Sequence, residues 1–399
     1  MKKRKLSAET LLGHLGRDPA RFDGAVNPPV YHASTVLFED LDLYEDPKRY
    51  FEKGKVNYGR NGTPTTFALE DAIAALEGGY ATLAVGSGLA AISGTFLSLL
   101  KAGDHVLVSD NVYRPTRRLC DDLLRGLGVE TSYFDPLIGA DIAALLRGNT
   151  RLVFLESPGS LTFEVADVPA IAAATKAAGA SLVLDTTWAA SVLCRPFELG
   201  ADVSINAATK YIGGHADVML GLITANDDHA EPIRRKVWQI GMSAGPDDVY
   251  LALRGLRTLA VRLARHQETT LALAEWLAAR PEVERVLYPA LPDHPGHALW
   301  RRDFSGACGL FGLVLRPPCP RPAMKAMVEG MELFGIGSSW GGYESLMIPS
   351  YPEKIRSATA WDAPGRTLRI HAGLEHPDDL IADLAAGFER FGRAVKETT

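Results

Sequence analysis

Ser181-Leu182-Val183-Leu184 and Asp202-Val203-Ser204-Ile205 are short, mostly apolar runs, the first followed at once by Asp185 and the second by Asn206-Ala207-Ala208-Thr209-Lys210. Continuous runs of this length suit strands buried on both faces. Similar runs stand at Ala81–Val85, His105–Ser109, Leu152–Leu155 and Met219–Thr224. Between many of them lie Ala- and Leu-rich segments with helical spacing, at Phe67–Leu76, Leu89–Leu100 and Val168–Ala178. Buried strands alternating with helices predict an α/β chain with a mostly parallel sheet covered on both faces. Further on, a long helical segment is expected at about Pro246–Ala279, strands at Gly309–Leu315 and Thr367–Ile370, and a closing helix at Pro377–Phe391. Residues 1 to about 60 have weak periodicity and read as an extended arm.

The chain has 399 residues, 47% hydrophobic and 23% charged, with a net charge of −6. This is the balance of a globular protein with ample length for a large core. The negative charge argues against a nucleic-acid partner, which selects a basic face. Met1-Lys2-Lys3-Arg4-Lys5 resembles the start of a signal peptide, but no apolar segment follows. No stretch reaches the ~20 apolar residues that span a bilayer, so no membrane partner is expected. Four scattered cysteines and no His-Glu-x-x-His spacing predict neither a disulfide framework nor a metal site. The chain reads as reduced and cytoplasmic.

In open parallel sheets ligands sit at the carboxyl ends of the strands. Gly86-Ser87-Gly88-Leu89-Ala90 stands there, after the run ending at Val85. Such a turn suits an anion, because small residues let backbone amides approach it at a helix N-terminus. It is equally a tight turn that needs glycine for conformation alone. Asp185 is either a helix N-cap or the partner of a protonated cofactor ring nitrogen. Lys210 lies among small and apolar residues; lysines are usually solvated, but desolvation lowers the pKa and frees the amine for Schiff-base chemistry. A strand-end Asp, a later lysine of this kind and a Gly/Ser turn together point to pyridoxal phosphate.

Asn57-Tyr58-Gly59-Arg60, Ala207-Ala208-Thr209-Lys210-Tyr211 and Ser339-Trp340-Gly341-Gly342-Tyr343-Glu344-Ser345-Leu346 resemble the cysteine/methionine-metabolism family of pyridoxal-phosphate enzymes, and within it the cystathionine β-lyases. The resemblance runs from about His14 to Phe391 and implies the aspartate-aminotransferase-like fold type I, with a mostly parallel seven-stranded sheet and a smaller C-terminal α/β domain. The implied division is an arm at 1–60 reaching the neighbouring subunit's site, a cofactor-binding domain at 61–260 and a C-terminal domain at 261–399. The implied assembly is a homotetramer of two active dimers. By the same resemblance Lys210 is the Schiff-base lysine, Asp185 the partner of the ring nitrogen, and Tyr113 the stacked, catalytically active tyrosine. Ser87, Gly88, Leu89, Thr187 and Thr209 bind the cofactor with them. Tyr58 and Arg60 reach the phosphate across the dimer, Tyr58 also touching substrate. Arg369 clamps the substrate carboxylate, a task suited to a planar guanidinium, and Ser339 and Trp340 line the substrate site.

Ser160, Trp188 and Trp340 stand where γ-acting relatives usually carry Asn, Phe or Tyr, and Leu. These differences imply β-elimination of an amino-acid thioether, L-cystathionine, to homocysteine, pyruvate and ammonia in methionine biosynthesis. The alternatives are a broader cysteine-S-conjugate β-lyase or a family member recruited to a biosynthetic pathway, and behind them a γ-synthase, a γ-lyase or a non-catalytic regulatory homologue. Asn61 replaces a second arginine common in β-lyases, and Thr186 replaces a commoner Asn. Trp238 and Ser338 stand where aromatics often line the distal pocket.

Overall fold

The computed structural model describes residues 6–49, 52 and 54–398. The charged start at 1–5 and three positions of the expected arm (50, 51 and 53) lie outside them. Seven strands form the larger sheet: β1 (Ala81–Val85), β2 (His105–Ser109), β3 (Glu130–Phe134), β4 (Thr150–Glu156), β5 (Ser181–Asp185), β6 (Val203–Asn206) and β7 (Gly221–Ala225). Their order is β1-β7-β6-β5-β4-β2-β3. The ladders from β6 to β3 are parallel, and β7 runs antiparallel to both of its neighbours. The central strands are largely apolar and buried because helices cover both faces.

A second sheet holds β8 (Val283–Leu287), β9 (Leu310–Leu315), β10 (Leu346–Ser350) and β11 (Thr367–His371) in the order β10-β11-β9-β8, all antiparallel. One apolar core runs beneath both sheets. Trp188, just after β5, joins them: its indole N–H donates to the Leu310 carbonyl at 3.2 Å and its ring packs edge-on against Phe304. Truncating so buried an aromatic typically costs about 3–5 kcal/mol.

Two sequence expectations need adjustment. The helical segment expected at Pro246–Ala279 is two helices, Pro246–Leu256 and Leu259–Ala278. At the break the Gly255 carbonyl accepts from the Thr258 amide at 3.2 Å and from Arg262 Nη2 at 2.8 Å. The arm is also less free than expected, because Ala8–His14 is a helix whose Leu12 is buried in the common core. Arg257 Nη1 fastens that helix by donating to the Leu12 and Leu15 carbonyls at 2.7 and 2.8 Å.

Candidate active site

The carboxyl ends of β4, β5 and β6 meet the loop 337–342 that precedes β10. Strand β5 ends on Asp185, which is 8% exposed and in register with Glu156 at the end of β4. Paired residues on neighbouring strands present their side chains to the same face. Burial raises the pKa of Asp185; it raises Glu156 well above the ordinary carboxylate range, with the Asp185 charge adding to the effect. Asp185 is steadied by Thr187, whose amide donates to Oδ1 at 2.9 Å. The Thr187 hydroxyl in turn accepts from the Ala207 amide at 3.0 Å, tying β5 to the segment that carries Lys210. Thr187 thus acts on the site through Asp185.

Glu156 was not among the residues expected here, although it follows an apolar run just as Asp185 does. Its Oε2 accepts from the Tyr113 amide at 2.7 Å and so fixes the backbone of that tyrosine. Tyr113 is 47% exposed, with its phenol among Glu156, Arg369 and Asp185. Burial and the Glu156 charge raise its pKa above the usual 10, so the phenol keeps its proton at neutral pH.

Lys210 Nζ donates to Ser339 Oγ at 2.8 Å and lies 5.3 Å from the centroid of the Trp340 ring. Burial, helped by the Arg369 charge and opposed by Asp185, draws its pKa from 10.5 to about 8. Arg369, on β11, is 9% exposed and among the described residues has no carboxylate partner in its hydrogen bonds. Its guanidinium donates to the backbone carbonyls of Ser338 (3.0 Å), Gly337 (3.0 Å) and Ser339 (2.9 Å). Burial draws it down to about 10, which leaves it cationic at neutral pH. A loop of carbonyls thus orients a cation in a largely buried setting, a ready receptor for a carboxylate.

The expected phosphate cup lies beside these groups. Ser87 caps the helix Gly88–Leu99, its hydroxyl accepting from the Ala90 amide at 3.1 Å. The amides of Gly88 and Leu89 fall in the first turn, ahead of the intrahelical ladder. A Cβ on Gly88 would come within 2.7 Å of the Ala207 Cβ, so only glycine allows this approach. The Thr209 hydroxyl accepts from the Leu220 amide at 2.9 Å and donates to its carbonyl at 3.1 Å, closing the loop between β6 and β7. Tyr58 is 46% exposed, and Arg60 is turned to the Trp238 carbonyl, to which its Nη1 donates at 2.6 Å. Asn61 is buried and lines a small cleft with Thr82, Leu83 and Trp238. Among the described residues no cluster of His, Cys, Asp or Glu could hold a metal ion, and no helix is long and apolar enough to cross a membrane.

The residues fit pyridoxal phosphate. Lys210 is a desolvated amine, Asp185 is a buried carboxylate whose raised pKa a cationic ring N–H would relieve, and the helix Gly88–Leu99 begins with amides that can face an anion. Residues 9–389 match the family described as Cys/Met metabolism PLP-dependent enzyme. The chain belongs to that family. Pyridoxal phosphate is therefore its cofactor. Among Cys/Met-metabolism enzymes, the cystathionine beta-lyase of Bordetella avium is 46% identical over 389 residues, covering 96% of this chain and 97% of that one. The cystathionine beta-lyase of Salmonella typhimurium is 44% identical over 387 residues, covering 96% and 98%. The crystal structure of cystathionine gamma synthase from Xanthomonas oryzae pv. oryzae superposes with a TM-score of 0.88 at 31% identity, covering 98% and 100% of the two chains.

Proposed function

We propose that the chain is a cystathionine β-lyase, cleaving the Cβ–S bond of L-cystathionine with one water to give homocysteine, pyruvate and ammonia. The observation that carries this reading is the loop 337–340, which meets Lys210 Nζ through the Ser339 hydroxyl and orients Arg369 through its carbonyls. Pyridoxal phosphate, when bound, supplies the electron sink that makes a Cα proton removable. Arg369 holds the substrate α-carboxylate. Lys210, with a pKa of about 8, is partly unprotonated near neutrality and takes the Cα proton as a general base. The same amine then protonates the departing sulfur. Asp185 supplies the buried negative charge that a cationic ring nitrogen requires, and the Trp340 ring lies 5.3 Å from the Lys210 amine.

The same reading assigns residues 1–60 to an arm that serves a neighbouring subunit, 61–260 to the cofactor domain and 261–399 to the C-terminal domain, in a cytoplasmic homotetramer of two active dimers. Leu37 and Leu41, 90% and 71% exposed on the arm, are apolar surface that a neighbour would cover, and Tyr58 and Arg60 follow them. The test is to supply L-cystathionine to the purified protein and identify the keto acid. Pyruvate together with homocysteine supports β-elimination. 2-Oxobutyrate would replace this reading with a γ-lyase, and faster turnover of cystine or S-alkyl cysteines than of cystathionine would replace it with a broader S-conjugate lyase.

A further inference from the structure

His371 ends β11, two residues beyond Arg369, and is 1% exposed. Its Nε2 lies 3.0 Å from the Gly341 amide, which can only donate, so Nε2 is the acceptor. Its Nδ1 lies 3.1 Å from the Glu344 carbonyl, which can only accept, so Nδ1 carries the proton. These two partners select one neutral tautomer. The ring packs against His266 and Tyr211, with centroids 5.2 and 5.9 Å away. Burial and the neighbouring cations keep it neutral, with a pKa well below the usual 6.5.

Gly341 is the point where the loop touches the reactive segment. Its φ is +87°, and a Cβ there would meet the Lys210 carbonyl carbon and the Tyr211 nitrogen, both at 2.9 Å. Two residues earlier Ser339 receives the Lys210 amine, and the carbonyls of residues 337–339 hold Arg369. One strand therefore carries the carboxylate clamp and, two residues on, the side chain that pins the loop orienting the clamp. We propose that His371 is a positioning residue of the substrate site: through its Nε2 acceptor it holds the Gly341 amide, and so sets the loop that both aims Arg369 and receives the Lys210 amine. This inference rests on the reading of Arg369 as the carboxylate clamp.

The test compares His371→Leu, which removes the acceptor at similar volume, with His371→Gln, whose Oε1 can replace Nε2. The first measurement uses the cofactor-free chain, titrating acylation of Lys210 by mass spectrometry against pH. The second uses the pyridoxal-phosphate-loaded protein, measuring the Kd of glycine, a carboxylate probe with no leaving group, from the shift in cofactor absorbance. We expect His371→Leu to weaken glycine binding at least tenfold and to move the Lys210 titration by half a pH unit or more. His371→Gln should stay within threefold of the parent in Kd. A leucine variant within threefold in Kd and unmoved in titration overturns the proposal, as does a glutamine variant that falls as far as leucine. If His371→Leu does not fold, the glutamine comparison decides alone: a folded His371→Gln with a Kd more than tenfold weaker refutes the role, and parent-like behaviour upholds it. Failure of the clamp reading is separable, because Arg369→Lys would then leave glycine binding unchanged.

Discussion

Replacing Lys210 by methionine should stabilise the cofactor-free protein while abolishing its activity. The Lys210 pKa falls from 10.5 to about 8, so the folded chain disfavours the ammonium that the unfolded chain keeps. At 1.36 kcal/mol per pKa unit, the gap amounts to about 3 kcal/mol of instability, an upper figure because solvent still reaches the site. The sign follows from linkage. Below pH 8 both states carry the proton and the penalty is complete. Between pH 8 and 10.5 the folded state has released its proton and the unfolded state has not, so the penalty fades as pH rises. Methionine is unbranched, one atom shorter and uncharged, so Lys210→Met removes the penalty. Urea titrations of the two cofactor-free proteins at pH 7 and pH 10.5 should show the variant ahead by about 2–3 kcal/mol at the lower pH, with the difference nearly closed at the higher. A variant no more stable than the parent at pH 7, or a gap that ignores pH, would refute the desolvated amine.

Ser339→Ala removes the acceptor 2.8 Å from Lys210 Nζ. A hydrogen bond to a charged group is worth about 1.5–3 kcal/mol, so the Lys210 pKa should fall by about one to two units, read from acylation of the cofactor-free chain against pH; an unchanged titration would mean that the bond does not favour the ammonium. Arg60→Ala should weaken pyridoxal-phosphate retention at least tenfold, measured by dialysis and absorbance, if the side chain serves a neighbour's phosphate. Equal retention by parent and variant would leave Arg60 as a tether for the Trp238 carbonyl.

The buried centre of the fold was readable from apolar runs, since β1 and β2 match the expected boundaries and β4, β5, β6, β7, β9 and β11 differ by one or two residues at their ends. The strands that were missed lie at sheet edges. β3, Glu130-Thr131-Ser132-Tyr133-Phe134, is polar along most of its length because one side faces solvent. β8 interrupts its apolar residues with Glu284 and Arg285, and β10 contains Pro349, which an edge strand tolerates. Asp185 and Lys210 were legible because they follow strands that could be seen. Glu156 offered the same signal, but its role depends on pairing with Asp185 and on receiving the Tyr113 amide, neither of which spacing reveals. The hold of His371 on Gly341 is likewise set only when β11 folds against the loop before β10.

An all-parallel sheet sends the chain across one of its faces after every strand, and a residue on such a crossover inherits the slack of a long connection. The reversal of β7 spares the chain that journey after β6. Lys210 rides instead on a link that stays at the sheet's rim, laced at its far side by the paired bonds of Thr209 to Leu220. Whatever becomes attached to that amine has a tether whose slack is confined to lysine's own four-carbon stem.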